Sequence, residues 1–319
     1  MEAKTLHLAV GQVLEQVNQV ILGKEQEIRE IMTAFLADGH VLLEDIPGVG
    51  KTTLAVAFSR AMGLEYKRVQ FTPDVLPSDL TGFSIYRREL EKFVYQPGSV
   101  FCNLLLADEI NRTSPKTQSA LLEVMEERKV SVEGVTREVP SPFLVIATQN
   151  PVGATGTQLL PEAQVDRFMI SMSVGYPDFE SEYRMAKAVS LEEKYEQIRP
   201  VLSKEILLEA QKEIHQVYIK DTIYQYLLEL IRATREHSRI ERGASPRGTI
   251  ALVKMAKAAA WMEGRNYVTP GDIRGQYPYV AGHRIIRKRT GGMDQVSREQ
   301  ILGEIVKKTN APPMGEEGR

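Results

Sequence analysis

Six residues, Gly48 to Thr53 in the stretch LLEDIPGVGKTT, contain two glycines, a lysine and two threonine hydroxyls. Glycine accepts backbone conformations closed to other residues and puts no side chain between the main chain and a ligand. Where such a turn joins a strand to a helix, its N–H groups and the positive end of the helix dipole form an anion site. The apolar run His40 to Asp45 before it and the helical pattern TTLAVAFSRAM after it supply that setting. Lys51 would neutralise charge on the β- and γ-phosphates of a nucleotide, and Thr52 would ligate Mg²⁺. Pro47, Val49 and Thr53 complete the stretch PGVGKTT. A strand–turn–helix with no ligand is the bland alternative. The strict phosphate-loop pattern wants glycine six places before the lysine, and Asp45 stands there instead. Its carboxylate is expected to accept backbone N–H bonds in an Asx-type turn, facing away from the phosphates.

Four further stretches carry groups that suit the same chemistry. NLLLADEIN ends an apolar strand on two acids. A buried strand ending beside the loop would let Asp108 hold Mg²⁺, directly or through water. Glu109 would then be the general base for a water attacking the γ-phosphate. VIATQN is a second apolar strand with a polar end, Asn150. Asn150 could orient that water or touch the γ-phosphate, or it could cap the turn before Pro151. In LLPEAQVDRF, Arg167 precedes a strand near a sheet edge, where it would reach a neighbouring subunit's nucleotide more easily than its own. A surface pair of Asp166 with Arg167 is the plain alternative, worth little energetically. In GASPRGTIALVKMAKAAAW, Arg247 lies in the first turn of a helix, against the helix dipole. Pairing with a phosphate would explain it; so would simple exposure.

The periodicities around these residues describe the frame that must hold them. Apolar residues at helical spacing run from Val10 to Ile21, and LGKEQEIREIMTAFL opens a second helix. Short apolar runs at His40 to Asp45, Tyr66 to Phe71, NLLLAD, Phe143 to Thr148 and FMISMSV predict five buried strands. FSIYRRELEKFVYQPG and KVSVEGVTREVP predict two hairpins around the helix SPKTQSALLEVMEERK. Strands alternating with helices predict a mostly parallel sheet covered on both faces, an α/β fold. After Gly175 to Phe179 the strands are expected to stop. Helices follow at Glu180 to Glu192, Ser203 to Tyr218, Thr222 to Arg239 and Ser245 to Glu263, and another opens at TPGDI, with Thr269 as N-cap and Pro270 in the first turn. A core over 1–176, a helical domain over 177–310 and a disordered tail over 311–319 summarise the organisation.

Composition narrows the function classes. The chain has 319 residues, enough for two domains, and a net charge of −2, which exerts no global pull on nucleic acid or anionic lipid. Cys102 is the single cysteine, so an intrachain disulfide or a cysteine-based zinc site is excluded. The residue reads as core, as does Trp261. The N-terminus lacks a signal pattern, and no apolar run reaches the roughly 18 residues of a bilayer span. A cytoplasmic protein is expected. The five histidines show no metal-ligand spacing. The basic cluster His283 to Arg289 could contact nucleic acid or acidic lipid, but such a run is more often a solvated helix end.

The five stretches, in this order, resemble the AAA+ ATPases, and more closely their MoxR branch. The resemblance runs from about Gln12 to about Arg289 and includes VILGKEQEI, RVQFTPDVLPSDLTG and GTQLLPEAQVDRFM. It implies a five-stranded αβα P-loop core with a helical lid, the hairpins being insertions. It implies that Lys51 and Thr52 belong to Walker A, Asp108 and Glu109 to Walker B, and Asn150 to sensor 1. Arg167 matches the trans-acting arginine finger, with Arg112 in EINRTS as a second candidate, and Arg247 matches sensor 2. Val20, Ile21 and Gly23, in the segment Val20 to Gly23, match the adenine pocket. ATP and Mg²⁺, a hexameric ring, a von Willebrand factor A-domain partner and chaperone-like remodelling of a protein client are implied as well. The branch also tolerates a residue other than glycine where Asp45 stands. Two alternatives stay open. A nucleic-acid motor would want basic hairpins, but Arg87, Arg88 and Lys92 are set against Glu89 and Glu91. A nucleotide-gated scaffold with little turnover would not need both a base and a finger.

Overall fold

The computed structural model describes residues 3–45, 48–150, 160–187, 197–288 and 296–313. Pro47, residues 188–192 of a predicted helix, Arg289 and residues 314–319 of the predicted tail lie outside the described residues.

Five short strands form the predicted parallel sheet: β1 (Val41–Glu44), β2 (Tyr66–Gln70), β5 (Leu104–Asp108), β8 (Leu144–Gln149) and β9 (Ile170–Met172). Their order is β2-β5-β8-β1-β9, and every pairing is parallel. Side chains alternate between the two faces of a strand, so each apolar run feeds two layers. Val41, Leu43, Leu104, Leu106, Leu144 and Ile146 join one buried cluster, with helices α1 (Ala3–Val20), α2 (Glu25–Leu36) and α3 (Lys51–Ala61). Leu42, Leu105, Ala107, Val145 and Ala147 join the other, with α5 (Pro115–Glu127). Burying each Leu or Ile contributes about 1.5–3 kcal/mol, so strands of four to six residues suffice when both faces are covered.

Register brings the carboxyl ends of the strands to one edge. Gln70 lies opposite Asp108, Glu44 opposite Gln149 and Leu43 opposite Met172. Ligands of open α/β sheets bind at that edge.

Both predicted hairpins form. One joins β3 (Phe83–Arg87) to β4 (Lys92–Gln96), and the other joins β6 (Lys129–Val132) to β7 (Val135–Glu138). The second turns through Glu133 and Gly134, both at positive φ (53° and 76°), as a tight two-residue hairpin requires. Ser84 Oγ donates to Glu133 Oε2 at 2.6 Å and ties the hairpins together. The short helix α4 (Pro77–Thr81) leads into the first; sequence periodicity did not reveal it.

Beyond α6 (Glu162–Val165) and α7 (Phe179–Lys187), the chain continues as α8 (Lys204–His215), α9 (Asp221–Glu236), α10 (Pro246–Met262), α11 (Pro270–Ala281) and α12 (Arg298–Lys308). Thr269 caps α11 as predicted, in a reciprocal box with Asp272. Two expectations need correction. The strands do not stop at Phe179: β10 (Ile240–Arg242) pairs antiparallel with β11 (Ile286–Arg287). Strands of three and two residues are too short to print an alternating pattern. The run from His283 is likewise no solvated helix end, because it makes a 3₁₀ turn and then β11, with Arg284 buried.

Helices of the C-terminal part pack back onto α1 and α2. A carboxylate is caught there. Glu30 of α2 is buried, with Oε1 accepting from Gln26 at 2.5 Å and Oε2 without a partner among the described residues. Burial pushes its pKa up to about 6, against hydrogen bonds from Gln276 and Gln26 and the charge of Arg29. The folded state therefore binds the proton more tightly than the unfolded chain. Glu30 contributes stability fully below its ordinary value, and that contribution is lost as pH rises through about 6. Glu30→Gln is expected to stabilise the fold by about 2 kcal/mol at most at pH 8 and to leave it nearly unchanged at pH 4.5. Urea unfolding at the two pH values measures the difference.

Candidate nucleotide-binding site

The loop after β1 is built on two left-handed glycines, Gly48 at φ 92° and Gly50 at φ 88°. A Cβ on either would meet none of the described residues within 4 Å, and the left-handed backbone demands glycine. Gly50 is the residue before α3, so Lys51, Thr52 and Thr53 form the first turn of that helix, with Val49 half-buried before them. Lys51 is buried, and its Nζ donates to the main-chain oxygen of Asp45 at 2.9 Å. Burial lowers the ammonium pKa; the carboxylates of Asp45, Asp108 and Glu109 oppose the shift.

Asp45 turns away from the loop, as expected, but its partners are not those of an Asx turn. Oδ1 accepts from Ser173 Oγ at 2.6 Å and from Gly175 N at 3.0 Å, and Oδ2 accepts from Val174 N at 2.6 Å. The carboxylate thus binds the root of the loop to the chain leaving β9. That segment also meets the predicted base pocket. Val20 is buried and Ile21 half-buried. Gly23 has φ 69°, and a Cβ there would collide with Asp178 and Ser181. Lys24 Nζ donates to Tyr176 O at 2.8 Å.

Asp108, the last residue of β5, and Glu109 after it are held by four side chains, Thr148, Arg68, Asn150 and Arg112. Asp108 Oδ1 accepts from Thr148 Oγ1 of β8 at 2.6 Å, and Oδ2 from Arg68 of β2 at 2.7 Å. Glu109 adopts a left-handed conformation (φ 57°, ψ 48°), which costs a non-glycine residue about 1–2 kcal/mol. Its N–H donates to the same Thr148 hydroxyl at 2.8 Å. Its Oε1 accepts from Asn150 Nδ2 at 3.1 Å and its Oε2 from Arg112 at 2.7 Å. Burial would raise the carboxyl pKa, but the hydrogen bonds from Arg112 and Asn150 outweigh it, and the net shift is downward. Glu109 is therefore an anion at neutral pH, the form a general base needs. Asn150 is buried against Asn111, and its Oδ1 has no partner among the described residues.

Two predicted residues sit elsewhere. Arg167 lies just before β9, whose first residue pairs with the first residue of β1, so it occupies the amino edge of the sheet. Its Nε pairs with Glu126 Oε2 at 3.2 Å, near the end of α5. Arg247, in the first turn of α10, pairs with the other oxygen of Glu126. Next to Glu126, Met125 O contacts His40 Nε2 at 3.1 Å, immediately before β1. Arg167 and Arg247 are thus brought together at the edge opposite the loop. Arg247, expected either to pair with a phosphate or to be exposed, is paired with Glu126 in this structure. Arg112, the second candidate finger, is engaged by Glu109 of its own chain.

The model of the ATPase family associated with various cellular activities matches residues 40–170, and that of the AAA lid domain matches residues 232–305. An uncharacterized Bacillus subtilis protein, YeaC, is 46% identical over 96% of both chains. Chaperone MoxR1 of Mycobacterium tuberculosis is 38% identical over 98% of this chain and 83% of its own. The chain belongs to the MoxR family of AAA+ ATPases. A crystal structure of a candidate ATPase from Cytophaga hutchinsonii superposes with a TM-score of 0.90 at 39% identity, over 98% of this chain and 97% of that one.

Several residues of this MoxR-family site escaped sequence reasoning. Thr148 orders both Asp108 and Glu109, yet in VIATQN it reads only as strand. Arg68 and Glu126 read as ordinary charged residues of a strand and a helix. A nucleotide with Mg²⁺ fits the residues present. Among the described residues, the glycine turn leaves open space before the helix, and one buried carbonyl oxygen, Asn150 Oδ1, stands unpartnered beside the ionised Glu109.

Proposed function

We propose that this chain binds ATP with Mg²⁺ and hydrolyses its γ-phosphate. The observation that carries the reading is Glu109, anionic and aimed by Asn150 and Arg112 at the strand edge where the phosphate loop lies. Lys51 and the loop amides bind the phosphates. Thr52 and Asp108 would hold Mg²⁺, which neutralises phosphate charge when bound. Glu109 takes the proton of the attacking water. Val20 to Gly23, faced by Tyr176 to Ser181, receive the base.

Arg167 has no route to its own loop, being at the opposite edge, so it acts on a neighbouring subunit. A closed ring, six-membered by family likeness, supplies that neighbour. Arg247 shares Glu126 with Arg167 and takes the same direction. Remodelling of a protein client, a von Willebrand factor A-domain partner and a cytoplasmic setting rest on the family likeness. Among the described residues no helix is long and apolar enough to cross a membrane. The first hairpin favours protein over nucleic acid, because it exposes Phe83, Tyr86, Leu90 and Phe93 among three basic and two acidic side chains.

Lys51→Ala is expected to lose ATP binding by about tenfold or more, since it removes a buried charge-assisted contact to phosphate. Titration with a fluorescent ATP analogue measures it. Parent-like affinity would refute the phosphate role. Single- or double-stranded DNA added at moderate salt is expected to leave the parent's turnover unchanged; strong stimulation would favour a motor.

A further inference from the structure

Arg284 comes from the basic run that nucleotide chemistry leaves without a task. Its side chain is 2% exposed. Nε donates to Asp166 Oδ1 at 2.7 Å. Nη2 donates to the main-chain oxygens of Asp166 at 3.1 Å and Phe168 at 2.6 Å. Nη1 donates to Met169 O at 3.1 Å and to Val280 O, in the last turn of the preceding α11, at 2.6 Å. Four of these five acceptors therefore lie on 166–169, the segment that carries Arg167 into β9. Only a planar guanidinium can serve that many acceptors at once; an ammonium has three donors at a point.

The surroundings are built for this contact. Gly248 lets α10 pass close by, since a Cβ there would lie 2.9 Å from Arg284 Cδ. Ser245, the N-cap of α10, donates its hydroxyl to the second oxygen of Asp166 at 2.7 Å. Two further carboxylates are also met from the C-terminal part: Glu126, which pairs with Arg167, by Arg247, and Glu162 by Arg242.

We propose that Arg284 is a positioning residue for Arg167: it makes the 166–169 segment part of the lid, so that lid position sets where Arg167 points. The inference rests on the reading of Arg167 as acting on a neighbour. It predicts that a change in the lid of one subunit is felt in the adjacent subunit's active site.

Arg284→Lys keeps the charge and loses the fork. Its turnover is expected to fall about tenfold or more, the scale of a small misplacement at a reacting centre, with binding of a fluorescent ATP analogue unchanged. Mixing it with Lys51→Ala subunits, which carry an intact Arg167, is expected to restore turnover at the variant's own sites. A merely structural fault would not be restored by a neighbour. Asp166→Asn, whose amide oxygen still accepts from Nε, is expected to show the same pattern at about threefold. That variant decides alone if Arg284→Lys does not fold. Parent-like turnover, or a deficit that mixing leaves in place, overturns the proposal. Arg167→Ala run in parallel separates the two ideas. If it turns over like the parent, the reading of Arg167 fails. If it is defective and restored by mixing while the other two variants match the parent, only the role of Arg284 fails.

Discussion

Glu109→Gln is expected to bind ATP as the parent does and to hydrolyse it about 10²–10⁴-fold more slowly, the usual range for removing a general base. The substitution is nearly isosteric. The amide can still accept from Asn150 or Arg112, and the left-handed backbone at Glu109 depends on Thr148 rather than on the carboxylate. Binding and turnover should therefore separate cleanly. Single-turnover hydrolysis beside an equilibrium titration measures both. Hydrolysis at the parent rate would remove Glu109 from the mechanism. A joint loss of binding would instead point to the neighbouring Asp108 and the metal.

Arg167→Ala is expected to lower turnover by about 10³–10⁵-fold, the range for an arginine supplied in trans to phosphoryl transfer. Nucleotide affinity of the separate chain should not change, because Arg167 lies at the amino edge of the sheet and the loop at the carboxyl edge. Mixed with Lys51→Ala subunits, the variant should regain activity at its own intact sites. Arg247→Ala should follow the same complementation pattern, since both arginines meet on Glu126. An Arg247→Ala deficit that mixing does not repair would return that residue to its own chain's pocket.

Asp45 illustrates how far local reasoning reaches. That its carboxylate would accept N–H bonds and avoid the phosphates follows from the chemistry of a strand end. Its donors, Ser173, Val174 and Gly175, lie some 130 positions away in sequence. Nothing near Asp45 announces them. Asn150 is a similar case. Its strand was legible, but the choice between capping a turn and facing the base depended on where β8 sits beside β5.

The five strands, the two hairpins, the glycine turn before α3 and the acids at the end of β5 were legible in the sequence alone. These depend on periodicity and turn chemistry that act within a few residues. Tertiary structure decided which charges meet. It gave Asp108 to Arg68 and Thr148, Glu109 to Arg112 and Asn150, and Glu126 to Arg167 and Arg247. It also turned a run that looked like a solvated basic helix end into a buried clamp on the segment bearing Arg167. The reason is physical. A lone charge is cheap in water and costly when buried unpaired, so its role is set by the partner that arrives, and partners arrive only when the sheet order and the returning helices are in place.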